Sequence, residues 1–436
     1  MKFHSFLCSF ACLAITRLAA ADAGDLVPAQ PVIPVHILRL SDFGAVSDGV
    51  TPNTAAFQRA VAALAQAGGG TLVVPAGIYL TGPVDLCSGM NLHLNAEAKI
   101  LFSPQAADYR LGPDAYRPLL RGTGLHDVMI SGEGTIDGNG DAWWPAARKF
   151  RDDANARGLG RNNVSPRPFL VSFQDCRRAR VEGIALENSP EHTLVPIGSQ
   201  DVTISGISIF NPIDTPNTDG IDPGSCQRVL ISRCRIDTGD DCIAVKGDGG
   251  NAHPSEDILV TDCTFLRGHG CSIGGVTSGG LRNMTVRRCT FDGTATGVRL
   301  KSFRGSGGLV ENVTYTDLQM KNVGQAVTIS SSYVGTTVDA SRAADNAQPV
   351  TTTTPRWRNI TIRNVTAVGC TAGAGLIQGL PEMPAQAITF DHVTIGAPTG
   401  LSLADARGVT LHDVHITVAT GPDVIAGSSV SGLIRN

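Results

Sequence analysis

The sequence predicts a right-handed parallel β-helix, an all-β solenoid in one elongated domain with a short capping helix at its N-terminal end. One observation is a strand pattern that returns at steps in the twenties, which is the signature of a parallel β-helix. The other is a composition with 50 glycines, 5% aromatic and 17% charged residues, which indicates many turns around a core of small aliphatic side chains.

Each copy of the repeat is a strand of alternating apolar residues, followed by a break and a second short strand. The third apolar position moves from Ile204 to Ile231, Val260, Val286 and Tyr315, in steps of 27, 29, 26 and 29 residues. The strands of the copies begin at Val128, Val202, Val229, Ile258, Met284, Val313, Ile360, Ile388 and Val409. A β-sandwich would instead show turn signals about every 8 to 12 residues without a long period.

The N-terminal part departs from the repeat. Residues 1–23 have the positive start, apolar stretch and small residues of an export signal, although a buried N-terminal helix is the alternative. The mature domain is expected to be residues 24–436, with its cap over 36–70. Within the cap, Thr51-Pro52-Asn53 predicts the start of a helix that runs to Ala67 and ends at the following glycines.

One long stretch without periodicity, residues 138–168, contains Trp143, Trp144 and several arginines. Irregular loops of this length are usually functional, and we expect this one to lie beside the binding cleft.

Nine cysteines remain after the export signal is removed. Cys234, Cys263 and Cys289 occupy the same position in successive copies of the repeat, so one expectation is a buried stack of free thiols. The alternative is a disulfide between rungs, because neighbouring rungs lie about 4.8 Å apart. Cys242 and Cys271 form a second such pair, and the odd total leaves at least one thiol free in a monomer.

The net charge of −4 gives no reason to expect a nucleic-acid partner. No stretch after the export signal is apolar enough for long enough to cross a bilayer, so no membrane partner is expected. The export signal itself predicts that the protein is secreted, to the exterior or the periplasm. A polyanionic substrate would need a local basic patch.

Four polar clusters mark four successive coils. They are Asn217-Thr218-Asp219-Gly220, Gly239-Asp240-Asp241-Cys242, Gly268-His269-Gly270 and Arg299-Leu300-Lys301. The separations are 22 residues from Asp219 to Asp241, 28 from Asp241 to His269 and 30 from His269 to Arg299. Each is about one coil, so the clusters should stack on one face. Adjacent acids split their pKa values, and glycosidic cleavage needs one protonated and one ionised carboxyl group.

These four clusters, with the earlier segment Asp42-Phe43-Gly44-Ala45, resemble family 28 of the glycoside hydrolases, the polygalacturonases, over about residues 42–364. The resemblance implies a secreted enzyme that hydrolyses the α-1,4-galacturonosidic bonds of polygalacturonate, the acidic backbone of pectin, with inversion. It implies no cofactor and no metal. We expect a monomer.

The resemblance also implies roles for individual residues. Asp240 would be the general acid, Asp219 and Asp241 would hold and deprotonate water, and His269 would tune the acid. Substrate binding would fall to Asn217, Arg299, Lys301 and Tyr333, the last matching a family tyrosine about one coil after the basic pair.

Rival functions remain open at this level. A rhamnogalacturonan hydrolase would fit Gly-His-Gly and Arg-x-Lys less well, a pectate lyase would need a Ca²⁺ site, and a β-helix adhesin would have no use for aligned acids. Endo action is expected, with exo action as the alternative. The outcome depends on whether residues 138–168 or 246–256 close one end of the cleft.

Overall fold

Parallel strands stack rung upon rung through the computed structural model, which describes residues 26–157, 165–247, 253–334, 337–338 and 346–436. The predicted right-handed parallel β-helix is confirmed. The predicted export signal, residues 1–23, lies outside the described residues, as do 248–252 of the 246–256 segment. Among the residues described, no helix is long and apolar enough to cross a membrane.

The larger sheet, here called the long sheet, contains two runs of strands that merge in the later coils. The first run comprises Ile37–Arg39, Gly70–Val74, Met90–Leu94, His126–Gly132, Arg177–Glu182, Gln200–Ser205, Gln227–Ser232, Ser255–Thr261, Leu281–Arg287, Leu309–Lys321, Arg356–Val368, Ala385–Ala397, Ala406–Val418 and Ile434–Arg435. The second comprises Gly77–Thr81, Ala98–Phe102, Thr135–Asp137, Ala185–Glu187, Ser208–Phe210, Arg235–Asp237, Thr264–Phe265 and Thr290–Asp292.

A second face, here called the site sheet, is built from two groups of strands that the single bridges at Ile221 and Gly224 connect. Its strands are Val84–Asp85, Leu120–Thr123, Val171–Gln174, Leu194–Ile197, Ile243–Val245, Cys271–Gly275, Thr296–Ser302, Gln325–Ser330, Gly373–Gln378, Leu401–Ala404 and Val424–Ala426. Two antiparallel pairs (Arg110–Gly112 with Ala115–Tyr116, Tyr333–Val334 with Thr337–Val338) and three 3-10 helices (Leu40–Phe43, Ala106–Tyr109, Gly140–Ala142) complete the strands and turns.

The predicted repeat positions coincide with the observed register. Ile204 pairs with Ile231, Ile231 with Val260, Val260 with Val286 and Val286 with Tyr315. All five side chains are fully buried. Steps of similar length therefore produce columns of stacked, mostly aliphatic side chains, which form the core of the solenoid.

One coil escaped the sequence pattern. Arg177–Glu182 pairs with His126–Gly132 on one side and Gln200–Ser205 on the other. Only Ala179 and Val181 of this strand are buried, and the charged residues before, between and after them hide the alternation.

The N-terminal helix, α1, spans Thr54–Gln66 and buries Phe57 and Leu64 against the first coil. It begins later than predicted, so Pro52 is not in its first turn. Asn53 precedes the helix without capping it. Its side chain instead accepts a hydrogen bond from the backbone N–H of Val46 at 2.7 Å and donates to the carbonyl of Val46 at 2.9 Å, which fastens the preceding loop.

Residues 138–168 are not irregular throughout, because a second helix, α2, spans Trp144–Ala156. Pro145 is tolerated in its first turn, where the missing N–H would have no partner. Trp144, Ala147 and Ala154 are buried at helical spacing. The helix was missed because its weak apolar stripe is interrupted by charged residues.

The nine described cysteines are all free thiols, so no bridge between rungs forms in this part of the chain. Cys234, Cys263 and Cys289 are buried as a stack in the core, as one of the two alternatives predicted.

At two corners of the long sheet, successive coils place non-glycine residues with left-handed φ values above one another in columns. The first column, here called the arginine–aspartate ladder, begins with Asp127, Arg178, Asp201 and Arg228 and continues with Asp257, Asn283, Asn312 and Asn359. Arg178 pairs with Asp127 at 2.6 Å and Arg228 with Asp201 at 2.8 Å. Alternating charge thus avoids like-charge repulsion between rungs.

Candidate active site

The four predicted polar clusters converge on a single cavity of about 640 Å³ at the edge of the site sheet. Asp219 precedes the bridge at Ile221, Asp240 and Asp241 precede Ile243–Val245, and His269 precedes Cys271–Gly275. Seven of the predicted side chains line the cavity: Asn217, Asp219, Asp240, Asp241, His269, Lys301 and Tyr333. The common phase in the repeat therefore places these side chains together.

The glycines around His269 are required by close backbone contacts. Gly268 and Gly270 have φ values of 86° and 76°, which L side chains rarely adopt. A Cβ on Gly268 would lie 2.3 Å from the carbonyl oxygen of Asp240, and one on Gly270 would lie 2.0 Å from that of Thr296. The Gly-His-Gly segment can thus pack tightly between its neighbouring coils.

Asp240 and His269 form a hydrogen-bonded pair. Nδ1 of His269 lies 3.0 Å from Oδ1 of Asp240, which also accepts from the backbone N–H of Asp241 at 2.9 Å. Burial alone would lower the pKa of His269, but the charge of Asp240 raises it to about 9. Burial alone would raise the pKa of Asp240, but the adjacent imidazolium holds it below its ordinary value. The free pair therefore holds one proton, on the imidazole, near neutral pH.

Asp241 is surrounded by donors. Its carboxylate accepts from Arg299 Nη1 at 2.5 Å, Lys301 Nζ at 2.6 Å and Ser272 Oγ at 2.9 Å. Burial would raise its pKa, yet the charges of Lys301 and Arg299 hold that pKa well below the ordinary value. Asp241 is therefore ionised although it is buried, because two cations neutralise it. We call Asp240, Asp241, His269, Arg299 and Lys301 the Asp240 cluster.

Tyr333 lies against the basic pair of that cluster. The Cζ atom of Arg299 lies 5.6 Å from the ring centroid of Tyr333, and Nζ of Lys301 lies 4.9 Å from it. These distances are those of cation–π contacts. Arg299 does not line the cavity, so Lys301 and the tyrosine ring form this part of its wall.

Asp219 belongs to a second group, whose other members were not singled out from the sequence. We call Asp219, Asp222, His192 and Lys246 the Asp219 cluster. Lys246 Nζ lies 2.6 Å from Asp222 and 3.8 Å from Asp219, and His192 lies 3.5 Å from each acid. Asp222 follows Asp219 by three residues and Lys246 follows Asp241 by five, outside the repeat phase that identified the others.

The two aspartates of this cluster have fewer cationic partners than their charge requires. Oδ1 of Asp219 and Oδ1 of Asp222 are both buried without a hydrogen-bond partner. Burial, with the charge of Asp222, raises the pKa of Asp219 well above its ordinary value. Burial also raises the pKa of Asp222, despite the opposing charge of Lys246. One lysine thus faces two acids, and this pair tends to retain a proton.

His192 links the cluster to Asn217. Its Nδ1 lies 3.0 Å from the carbonyl oxygen of Asn217, which can only accept, so Nδ1 carries the proton. Nε2 then accepts from Lys246 Nζ at 3.1 Å. The ring stacks on Phe169 with centroids 5.2 Å apart. Asn217 has a φ of 56° and lines the cavity, so its backbone conformation and its carbonyl both contribute to the site.

Helix α2 forms one wall of the cavity through Ala147, Phe150, Arg151, Ala154 and Asn155. It is held by an ion pair of 3.0 Å between Arg148 and Asp214 and by a hydrogen bond of 3.0 Å from Trp144 Nε1 to the carbonyl of Ser189. The part of residues 138–168 that the structure describes thus lies beside the cleft, as predicted.

Comparison with known proteins relates this geometry to a family. The model of "Glycosyl hydrolases family 28" matches residues 66–420. A probable polygalacturonase from Vitis vinifera is 33% identical over 384 residues, covering 83% of this chain and 74% of the relative. An exopolygalacturonase from Thermotoga maritima superposes with a TM-score of 0.76 at 30% identity, covering 90% of this chain and 94% of that one.

A polygalacturonase from Erwinia carotovora superposes with a TM-score of 0.68 at 23% identity over 92% of this chain and 98% of that one, which supports the fold alone. The family match spans most of the chain and includes all four polar clusters. This chain therefore belongs to family 28 of the glycosyl hydrolases, and its predicted identity as a glycoside hydrolase is confirmed.

Proposed function

We propose that this chain hydrolyses the α-1,4-galacturonosidic bonds of polygalacturonate with inversion at the anomeric carbon. The observation that carries the proposal is the convergence of three aspartates from two successive coils on one cavity: Asp219 and Asp241 are buried, Asp240 is partly exposed, and the two clusters they belong to differ in how many cations neutralise them. Inverting hydrolysis needs an acid that protonates the leaving oxygen and a base that activates water on the other side of the sugar.

Asp240 is the proposed general acid. It lines the cavity and is hydrogen-bonded to a protonated His269, so a proton is available at the place where the leaving oxygen would lie. As substrate displaces water from the cavity, the neutral form of the pair is favoured over the ion pair, which moves the proton to Asp240.

Asp241 and Asp219 are the proposed water-activating groups. Asp241 is ionised through its basic partners and can accept a proton from water. Asp219 lines the same cavity, and its Oδ1 has no hydrogen-bond partner in the free site, so its carboxyl group can orient the water. Asp222, His192 and Lys246 touch Asp219 or its neighbours, and we propose that they position it.

Recognition of the substrate carboxylate is assigned to Lys301, which lines the cavity, and to Arg299, which does not line it in the free site and would have to turn toward the substrate. Tyr333 would pack against the sugar, and Asn217 completes the wall. Both cations retain donors beyond those used by Asp241, and Arg can bind a carboxylate through two N–H groups. De-esterified polygalacturonate should then be a better substrate than methyl-esterified pectin. Rates at limiting substrate should fall with added salt, and equal rates on both polymers would contradict this assignment.

Endo action remains our prediction, and exo action is a second candidate that helix α2 favours. The helix contributes five residues to the cavity wall and would limit the chain length on its side of the cleft. Product sizing on polygalacturonic acid separates the two: mixed oligomers early in the reaction mean endo action, and only mono- or digalacturonate means exo action.

The experiment that tests the reaction type measures reducing ends and ultraviolet absorbance together, with a chelator present. Hydrolysis releases reducing ends without a new double bond, whereas elimination by a lyase forms an absorbing unsaturated uronate. We expect reducing ends at an undiminished rate and no growth in absorbance. Calcium-dependent absorbance growth would assign the chain to a lyase reaction instead.

We infer that the protein meets this substrate outside the cytoplasm, on the basis of the signal-like residues 1–23, and that it acts as a monomer. Fractionation of expressing cells and sedimentation of the purified protein test the two inferences. Retention in the cytoplasm or a stable dimer would overturn the respective one.

A further inference from the structure

A group of imidazoles and carboxylates lies on the outer face of the solenoid, away from the cavity. It is carried by the last two long strands, Ala385–Ala397 and Ala406–Val418, which pair in parallel. Asp391 is in register with His412, and the next residue, His392, lies beside Asp413 on the neighbouring strand. Two histidines and two aspartates thus occupy four adjoining positions.

The inner atoms of this group converge on one point. Nδ1 of His392 lies 2.8 Å from Oδ1 of Asp391, and Nδ1 of His412 lies 2.7 Å from the same oxygen. One ligand atom from each of the three residues lies within 4.8 Å of the other two. Two nitrogens and one oxygen at these separations can reach a common ion with bonds of about 2.0 to 2.2 Å after a small outward movement of exposed side chains.

The outer atoms form the support that metal-bound histidines usually have. Nε2 of His392 lies 3.5 Å from Oδ2 of Asp413, whose Oδ1 lies 3.1 Å from Nε2 of His415. A histidine that binds metal through one nitrogen generally presents its other N–H to a carboxylate. Asp413 stands where that carboxylate belongs for His392.

The surrounding charges also favour a cation. Arg363 is in register with Asp391 on the preceding strand, but its Nε donates to Thr316 at 3.2 Å. Arg435, next to Leu411 in register, pairs with Asp423. Within the described part of the chain, the ion pairs of Asp391 and Asp413 are with histidines, which are neutral when they coordinate a metal.

We propose that Asp391, His392 and His412 bind a divalent transition-metal ion of the class that imidazole prefers, such as Zn²⁺, with Asp413 supporting His392. Imidazole and carboxylate together suit Zn²⁺, whereas Mg²⁺ prefers an all-oxygen octahedral set. A metal here would join the last two long strands, near the C-terminal end of the solenoid. This site is independent of the proposed hydrolase function.

The test is calorimetric titration of the full chain with Zn²⁺, and separately with Mg²⁺, at pH 7.5. We expect one equivalent of Zn²⁺ to bind, no Mg²⁺ to bind, and Zn²⁺ to raise the thermal unfolding midpoint, because an ion that binds only the folded state stabilises it. Binding should weaken as the pH is lowered, because protons compete with the metal ion for the imidazole nitrogens.

Variants identify the site. His412→Ala should abolish the titration, and Asp413→Asn should weaken it by roughly 10- to 100-fold. His126→Ala is the matched control, because the ring of His126 also contacts the aspartate next to it in sequence, Asp127, at 2.9 Å, but this pair belongs to no group of three potential metal ligands among the described residues. It should bind Zn²⁺ like the parent, and activity on polygalacturonate should be unchanged in all three variants. No binding by the parent, or equal binding by His412→Ala and His126→Ala, would overturn the proposal.

Discussion

The two acid clusters of the cavity differ in how many cations neutralise them. In the Asp240 cluster, Asp241 alone has two cationic partners, at 2.5 and 2.6 Å, and Asp240 has a protonated imidazole. In the Asp219 cluster a single lysine faces two buried acids, each with an oxygen that has no hydrogen-bond partner.

Because of this difference, the two clusters shift the pKa values of their aspartates in opposite directions. Charge and hydrogen bonds lower the pKa of Asp240 and Asp241, whereas burial raises the pKa of Asp219 and Asp222. In the free site the directions for Asp240 and Asp219 are opposite to their proposed roles, because a raised pKa favours an acid and a lowered pKa favours a base. The proposal therefore requires that, when substrate is bound, Asp240 takes the proton of His269 and Asp219 is ionised. Three of the predictions below test that division, and a fourth, outside the cavity, compares it with a surface ion pair.

The largest effect is expected at the Asp240 cluster. Asp240→Asn removes the proposed proton donor and should lower kcat by about 10²- to 10⁴-fold, while the thermal unfolding midpoint changes little. Initial rates of reducing-end release measure it. Asp237→Asn, which breaks only the surface ion pair with Arg267 at 2.7 Å, is the matched control and should retain its kcat. Near-normal turnover in Asp240→Asn would remove it from the acid role.

The next effect concerns the single cation of the Asp219 cluster. Lys246→Met should raise the pKa of Asp219 and Asp222 further, because an opposite charge is lost. We expect a fall in kcat of up to about 10²-fold and an upward shift of one limb of the pH–rate profile. Lys149→Met, at an exposed ion pair of α2, serves as the control. An unchanged profile would mean that Lys246 does not act through these acids.

The sequence could predict those residues of the site that follow the repeat. Asp219, Asp241, His269 and Arg299 are separated by one coil each, and parallel stacking converts that separation into proximity. Lys246 and Asp222 have no such separation from the others. Their contact depends on the local path of the backbone at the bridge between Gly224 and Lys246, which periodicity does not describe.

The fold divides in the same way. Long steps interrupt the repeat, from Ile130 to Val181 and from Tyr315 to Ile362, although both pairs are in register. The first step holds α2 and the second holds Tyr333. A segment that loops out between two coils does not follow the repeat, so the repeat cannot predict its structure. In this protein such segments contribute to the walls of the cavity.

A third prediction concerns the proton of the Asp240–His269 pair. In proton NMR, His269 should titrate near pH 9, while Asp240→Asn should bring its pKa back toward 6.5. Because the folded pKa is raised, the stability that this group contributes is complete below pH 6.5 and is lost as the pH rises through about 9. Titration of His269 near 6.5 in the parent would contradict the ion pair.

The smallest effect is expected outside the cavity, in the arginine–aspartate ladder. Arg228→Asn removes a half-exposed ion pair with Asp201, but asparagine tolerates the φ of 55° at this position and occupies it in later rungs. The free energy of unfolding in urea should fall by less than about 1 kcal/mol. A loss of several kcal/mol would show that charge alternation in the ladder, unlike ordinary surface pairs, holds the coils together.

The most direct test of the division between the clusters is the stereochemistry of the product. Polygalacturonate hydrolysis followed by proton NMR in its first minutes reports the anomer released before mutarotation. If water is held by Asp219 and Asp241 opposite an acid at Asp240, the α-linked substrate must yield the β-anomer. Release of the α-anomer would mean that one aspartate attacks the sugar itself, and would contradict the assignment of both clusters.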